Sequence, residues 1–434
     1  MLTQPRKLVL IIVVLATNLH AATYFVRAGA SGNGTSWSNA WGSPSSISWS
    51  TLNAGDTVCI AGGTYSGGIT TGKSGTSGHP ITLQRATASN PTCGSGTTGW
   101  SSSYDAQVNL GESGITIQNS YITITGMVPS GILGTIPNGG GCYVCATSTN
   151  TTNVTISYME ISGPCSPSGC NQNSDSRAIE VEPGTQTNWL ISYNNLHGQC
   201  TNIIATDAPG LVIDHNRIAD SIDNTPGNPS CHPNVFETLG GAGQVFSNNE
   251  VVNWSTEGIL ICSNGNCSAT VAAYGNVWHD PYNTGVARIM EAQGPGTNGP
   301  HLLYNNTIVN VAFGCARTAN GGVYASGSAA YNNLIIGSGF NSCSGLPVAD
   351  YEASDGSTGE THGQTLTSAI FVNYSAGTIA GYHLSGHTNP GLSLGSPYNV
   401  DSDGNARSAW DRGAFEYNGS APPAPPTGLA AVVN

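Results

Sequence analysis

Nine residues of this chain are of types, and at places, that could do acid–base chemistry on a sugar. His232, Glu257, His279, Asp220, Asp223 and Asp280 are the candidate catalytic groups, and Arg177, Arg288 and His197 the candidate substrate contacts. Two carboxylates about 5 to 5.5 Å apart would suit retaining glycoside hydrolysis, and about 6.5 to 9.5 Å inverting hydrolysis. His232 or His279 would then tune their protonation. Elimination from a uronate is the competing chemistry. There the substrate carboxylate must be neutralised, a task for Ca²⁺ held by Asp and Asn side chains, before His232, His279, Arg177 or Arg288 removes the C5 proton. No metal ligand set can be named from the sequence.

These residues matter only if the fold stacks them, and an internal repeat says that it does. Seven segments align: 154–161 (VTISYMEI), 189–196 (WLISYNNL), 211–218 (LVIDHNRI), 244–251 (QVFSNNEV), 270–277 (TVAAYGNV), 301–308 (HLLYNNTI) and 327–334 (GSAAYNNL). Their third place is apolar (Ile156, Ile191, Ile213, Phe246, Ala272, Leu303, Ala329), and so is their eighth (Ile161, Leu196, Ile218, Val251, Val277, Ile308, Leu334). The sixth place holds Met159, Asn194, Asn216, Asn249, Gly275, Asn306 and Asn332. Strand alternation alone would put the third and eighth places on opposite faces, so the chain must bend between them. Asn and Gly are suited to that bend because they accept the left-handed conformation.

A second short strand precedes most units: 178–182 (AIEVE), 202–207 (NIIATD), 234–239 (NVFETL), 258–262 (GILIC), 286–290 (VARIM) and 321–325 (GGVYA). The units recur at the scale of one turn of a parallel β-solenoid, with extra residues in the loops. In such a wall the sixth-place Asn residues read as a hydrogen-bonded ladder, and Tyr158, Tyr193, Tyr274 and Tyr331 as outward packing beside it. His197, Asp220, Asp223, His232, Glu257, His279 and Asp280 fall in the turns after the eighth place. The loop 219–234 is the longest of those turns and is expected to wall a cleft.

The opening of the chain, ATYFVRAGASGNGTSWSNAW followed by AGDTVCIAGGTYSGGITT and HPITLQRA, resembles the first coils of right-handed parallel β-helix proteins of the pectate lyase-like superfamily. The stretch DSDGNARSAWDRGAFEY (401–417) is similar to the terminal motif of many exported bacterial β-helix proteins. The resemblance implies an all-β, right-handed parallel β-helix over 22–417 that acts on a polysaccharide by elimination or hydrolysis. A non-catalytic glycan-binding or adhesive β-helix is the alternative. Two known mechanisms do not carry over: a single Lys, Lys73, follows the leader, where the lyase branch uses a Lys and Arg pair, and the polygalacturonase signatures are missing.

Residues 1–21 read as a secretory signal peptide, with Arg6 and Lys7 ahead of the apolar run Leu8 to Ala16 and small residues at Ala21 and Ala22. An extracellular location follows, with 418–434 a Pro-rich tail. Twelve Cys in an exported chain imply disulfides, with Cys165–Cys170, Cys262–Cys267, Cys200–Cys231 and Cys315–Cys343 as expected pairs. The CxxC at Cys142 and Cys145 has no second CxxC, so a structural role is expected over zinc. Only 8 % of residues are charged, against about 25 % in an average domain, and the formal charge is −13. That sign argues against nucleic acid and anionic membrane as partners and leaves a polysaccharide, bound by a monomer.

Overall fold

The computed structural model describes residues 21–137, 141–147, 150–166, 169–170, 176–182, 186–222, 231–263, 268–282 and 285–419. Asp223, most of the leader and the tail beyond Gly419 lie outside these residues. Three long sheets, of twelve, twelve and nine strands, run along the molecule with parallel pairing throughout. A full coil contributes one strand to the first sheet, one to the second across a bend, and one to the third across a loop. The chain is a parallel β-helix. Among the described residues, no helix is long and apolar enough to cross a membrane.

Alternation packs the interior in rows. Ile156, Ile191, Ile213, Phe246, Ala273, Leu303 and Ala330 are successive register partners in the first sheet, all fully buried. In the second sheet the row is Ile161, Leu196, Ile218, Val251, Trp278, Ile308 and Ile335. Where Ala273 is small, Trp278 of the same coil fills the space and stacks on Phe246, ring centres 5.3 Å apart. Gly258 makes room for it, since a Cβ there would stand 2.5 Å from the indole.

These registers correct the sequence frame by one residue in two coils. Ala273, Asn276 and Trp278 hold the places that the alignment gave to Ala272, Gly275 and Val277, and Ala330, Asn333 and Ile335 replace Ala329, Asn332 and Leu334. The left-handed residue is the expected one at Gly275 and Asn332 and one place earlier than expected in the other five coils, at Tyr158, Tyr193, His215, Asn248 and Asn305; all seven have φ between 54° and 67°. The sixth place is instead a buried carboxamide. Asn194, Asn216, Asn249, Asn276, Asn306 and Asn333 form an unbroken ladder in which each side-chain oxygen after the first accepts the preceding Asn's backbone N–H and side-chain amide. Glu352 ends it, accepting the Asn333 amide at 2.7 Å.

A segment after the last coils folds back along the outside of the solenoid. Phe371, Tyr382, Leu384 and Phe415 cover Val277, Val309, Leu334 and Ile336 on the outer face of the second sheet. Its bonds climb the corner row in reverse order. Asn332 donates to the Leu392 carbonyl at 2.9 Å, Asn305 to that of Tyr398 at 3.1 Å, and Ser402 reaches Asn248 and the Gly275 carbonyl. The 401–417 motif knots this segment: buried Arg407 donates to the Asp411, Gly413 and Ala414 carbonyls, and Glu416 accepts the backbone N–H groups of residues 408–411.

Disulfides join Cys59–Cys93, Cys142–Cys145, Cys200–Cys231 and Cys315–Cys343. The CxxC is therefore a cross-link, and Cys59–Cys93 is a pair the spacing did not single out. Cys165 and Cys262 are also disulfide-bonded. Cys165 is registered on Cys170, and Cys267 lies outside the described residues.

Candidate functional site

The ionisable groups anticipated in one zone divide between two faces. His197 and His279 are on the second sheet, where His197 lies 3.4 Å from Glu160. Asp220 and Asp280 form the next corner with Asn253 and Asn310, all four at positive φ. There each Asp accepts the carboxamide of the following coil's Asn at 2.5 Å. His279 is 1 % exposed, 3.2 Å from Glu250 and 2.9 Å from Asp280, beneath the Tyr382 ring. Burial alone would lower its pKa, but the bonds to Asp280 and Glu250 prevail and raise it. Those to His279, Asn310 and Tyr382 hold Asp280 down at about 2. The geometry is that of a buried ion cluster that fastens the returning segment.

Arg177, Glu257 and Arg288 belong to the third sheet, and His232 lies in the loop ahead of one of its strands. One outward row there runs through the registered partners Glu180, Ala205, Glu237, Leu260, Glu291 and Arg317. Another pairs Glu257 with Arg288. The sequence reading named the strands 178–182, 202–207 and 234–239 but not the acids in them: Glu180, Glu182, Asp207 and Glu237, with Glu291 and Arg317 further along. Their signal was present in the repeated second strand, where acids recur at outward places. His232 is set beside this face by the Cys200–Cys231 disulfide and lies 3.2 Å from the Asn234 amide.

Toward one end the face is closed by ion pairs. Arg288 bridges Glu257 and Glu291, both 1 % exposed, and Arg317 reaches Glu291 at 3.5 Å. The half-exposed part is acidic. Arg177 pairs with Glu180 at 2.8 Å, and Glu237 accepts the Asn202 amide and the Ser263 hydroxyl.

Glu182 and Asp207 follow the registered pair Val181 and Thr206, so they stand one coil apart, about 4.8 Å along the axis. Burial pushes Glu182 up to about 7; Arg177 opposes this while Glu180, Asp207 and Glu237 reinforce it. Burial also raises Asp207, whose Oδ1 has no hydrogen-bond partner among the described residues. The pair therefore offers one proton donor near neutral pH beside a second carboxylate, an arrangement suited to general acid catalysis.

No family profile and no curated protein matches this sequence. Among solved structures it is similar to pectate lyase Pel9A, with a TM-score of 0.51 and 14 % identity over 92 % of this chain and 98 % of that one. The fold is that of the pectate lyase-like β-helix. The GH136 lacto-N-biosidase from Eubacterium ramulus is also similar, with a TM-score of 0.51 and 10 % identity over 80 % of this chain and 67 % of that one. Within this β-helix, among the described residues, no group of three or more His, Cys, Asp and Glu is placed to hold a metal ion.

Proposed function

We propose that this protein is an exported glycoside hydrolase of the parallel β-helix fold, acting on a neutral polysaccharide along the outer face of its third sheet. The observation that carries the reading is the Glu182 and Asp207 pair, one coil apart and both raised in pKa. Glu182 is the proton donor to the leaving oxygen, and Asp207 is the carboxylate that attacks or activates water. Arg177 and His232 contact the sugar chain. Glu257 and Arg288 hold the floor of the face, and His197, Asp220, His279 and Asp280 belong to its supporting wall.

The balance of charge favours hydrolysis over elimination. Six acids (Glu180, Glu182, Asp207, Glu237, Glu257, Glu291) face three Arg residues, each already ion-paired on the face. A uronate would meet net negative charge and no spare guanidinium among the described residues. The similar solved structures are named as a polysaccharide lyase and a glycosidase, which supports carbohydrate as the substrate class.

The test is activity on xylan, galactan, mixed-linkage β-glucan, polygalacturonate and alginate, read by reducing ends and by unsaturated-product absorbance, with and without chelator. Reducing ends from a neutral glycan without unsaturated product are expected, with kcat lower by about 10² or more in Glu182→Gln. Unsaturated product, or loss of turnover on chelation, would return elimination and Ca²⁺ to the mechanism. Binding without turnover would assign a glycan-binding β-helix instead.

A further inference from the structure

The segment that returns along the second sheet is fastened at three histidines, and the acceptors around each of them call for the charged ring. His279 meets Asp280 Oδ2 at 2.9 Å through Nδ1 and Glu250 Oε1 at 3.2 Å through Nε2. Tyr382 of the segment packs against it and donates to the same Asp280 oxygen at 3.0 Å. His383, in the segment itself, lies on Phe415 with ring centres 3.7 Å apart. Its Nδ1 faces the Ile379 carbonyl at 3.1 Å and its Nε2 faces Asp403 Oδ2 at 2.9 Å. His215 gives Nδ1 to Asp214 Oδ2 at 2.6 Å and also bonds the Ser402 backbone, beside Asp403. A neutral imidazole has one N–H to donate, whereas each of these pairs of acceptors takes two.

Other histidines do not share this arrangement. Among the described residues, His197, His362 and His387 each meet one carboxylate through one nitrogen. His301 Nδ1 accepts the Val271 N–H at 3.2 Å, as only a neutral ring can, and burial lowers its pKa to about 4. The doubly bonded rings thus coincide with the seam between segment and wall. Of the other ionisable groups there, Arg217 reaches Glu250 at 3.5 Å, Tyr374 bonds Asn310 beside Asp280, and Tyr193 stacks on His215. Among the described residues, Arg217 is the one guanidinium paired with these acids, so Asp214, Asp280 and Asp403 depend on the histidines for a cation.

We infer that His215, His279 and His383 form a pH-operated latch: the returning segment, 371–403, lies closed on the second sheet while they are charged and lifts away once they are neutral. Burial works against the charge on His215 and His279, but their carboxylate bonds prevail and raise both above the ordinary value. The stability that the latch supplies is therefore full below about 6.5 and is lost as pH rises through the raised folded values. Opening uncovers Val277, Val309, Leu334 and Ile336. The Asn carboxamides beneath do not titrate, so the coils stay intact as the segment opens. The latch is independent of the reaction at Glu182 and Asp207.

The test is hydrogen exchange read by mass spectrometry on the full chain from about pH 5.5 to 9.5, with each rate divided by its intrinsic value at that pH. Protection within 371–403 should fall by about tenfold or more between about pH 6 and 9, while 154–161 keeps its own. Glutamine donates but cannot carry the charge. The triple variant His215→Gln, His279→Gln and His383→Gln should therefore leave the segment open throughout and abolish the dependence on pH. His383→Gln alone, the mildest of the three, should lessen the fall. Glu360→Gln, which alters the carboxyl pair at the last coil, should leave it unchanged. The latch is refuted if protection of 371–403 does not vary with pH, if it falls together with that of 154–161, if the histidine variants keep the wild-type fall, or if Glu360→Gln removes it.

Discussion

Replacing Asn249 with Ala removes one rung of the ladder, and the structure sets the size of the effect. The Asn249 carboxamide is fully buried. Its oxygen accepts the Asn216 backbone N–H at 2.8 Å and the Asn216 side-chain amide at 3.0 Å. Its own amide donates to the Ile213 carbonyl at 3.0 Å and to Asn276 Oδ1 at 3.1 Å. Each net bond is worth about 1 kcal/mol, and the backbone N–H of Asn216, left buried without a partner, adds a desolvation cost of its own. The expected loss is about 3 to 5 kcal/mol. Because solenoid coils open locally, native-state hydrogen exchange is a better assay than a single melting temperature. The Asn216 amide should exchange faster by about 10² or more, with smaller effects two coils away. Asn195→Ala is the control, since among the described residues that side chain only accepts from Arg217 at 3.3 Å, and about 0.5 kcal/mol is expected there. Equal losses in the two variants, or an Asn216 amide still protected in Asn249→Ala, would refute the ladder as the element that holds coil register.

Two further expectations concern charge. His279→Ala removes the bonds to Glu250 and Asp280 and leaves part-buried Glu250 with Arg217 alone, at 3.5 Å, and should destabilise the protein by about 2 kcal/mol. Limited proteolysis within 366–417 should accelerate, while kcat on the glycan is unchanged; lost kcat with a protected segment would make His279 catalytic. Because the folded pKa of His279 is raised, its contribution is full below about 6.5 and is lost as pH rises through the folded value. Glu352 is buried, and burial with the adjacent Glu360 carboxyl raises its pKa to about 8. The stability it contributes is present below its ordinary value and disappears as pH climbs through about 8. Glu360→Gln removes the like charge and should flatten that loss between about pH 4.5 and 8 in a melting-temperature series; an unaltered slope would exclude the pair as its source.

The repeat was legible because the inward rows obey alternation, and the two corrections show where that signal ends. At Gly275–Asn276 and Asn332–Asn333 both neighbours accept positive φ, so composition cannot say which one turns the corner and which one joins the ladder. Only the register decides it. Tyr158 and Tyr193 hold the left-handed place with φ of 57°, though tyrosine does not favour it. The site was harder to read for a different reason. Turns attract polar residues in any soluble protein, so His279 and Asp280 looked chemical although they are bonded into the wall. Glu180 and Glu237 were passed over because they lie inside strands, and Glu182 because it directly follows one. Acids at one outward strand place in every second coil, Glu180, Glu237 and Glu291, are the signal for the proposed face.

The segment that returns along the outside also bears on how such a chain can change. A solenoid bound only between neighbouring coils can gain or lose one without penalty elsewhere. Here Leu392, Tyr398 and Ser402 meet the corners at Asn332, Asn305, Gly275 and Asn248 in fixed order. An inserted coil anywhere between 248 and 332 would throw every later pairing out of step. The segment therefore acts as a ruler, and the coils beneath it are held to one number.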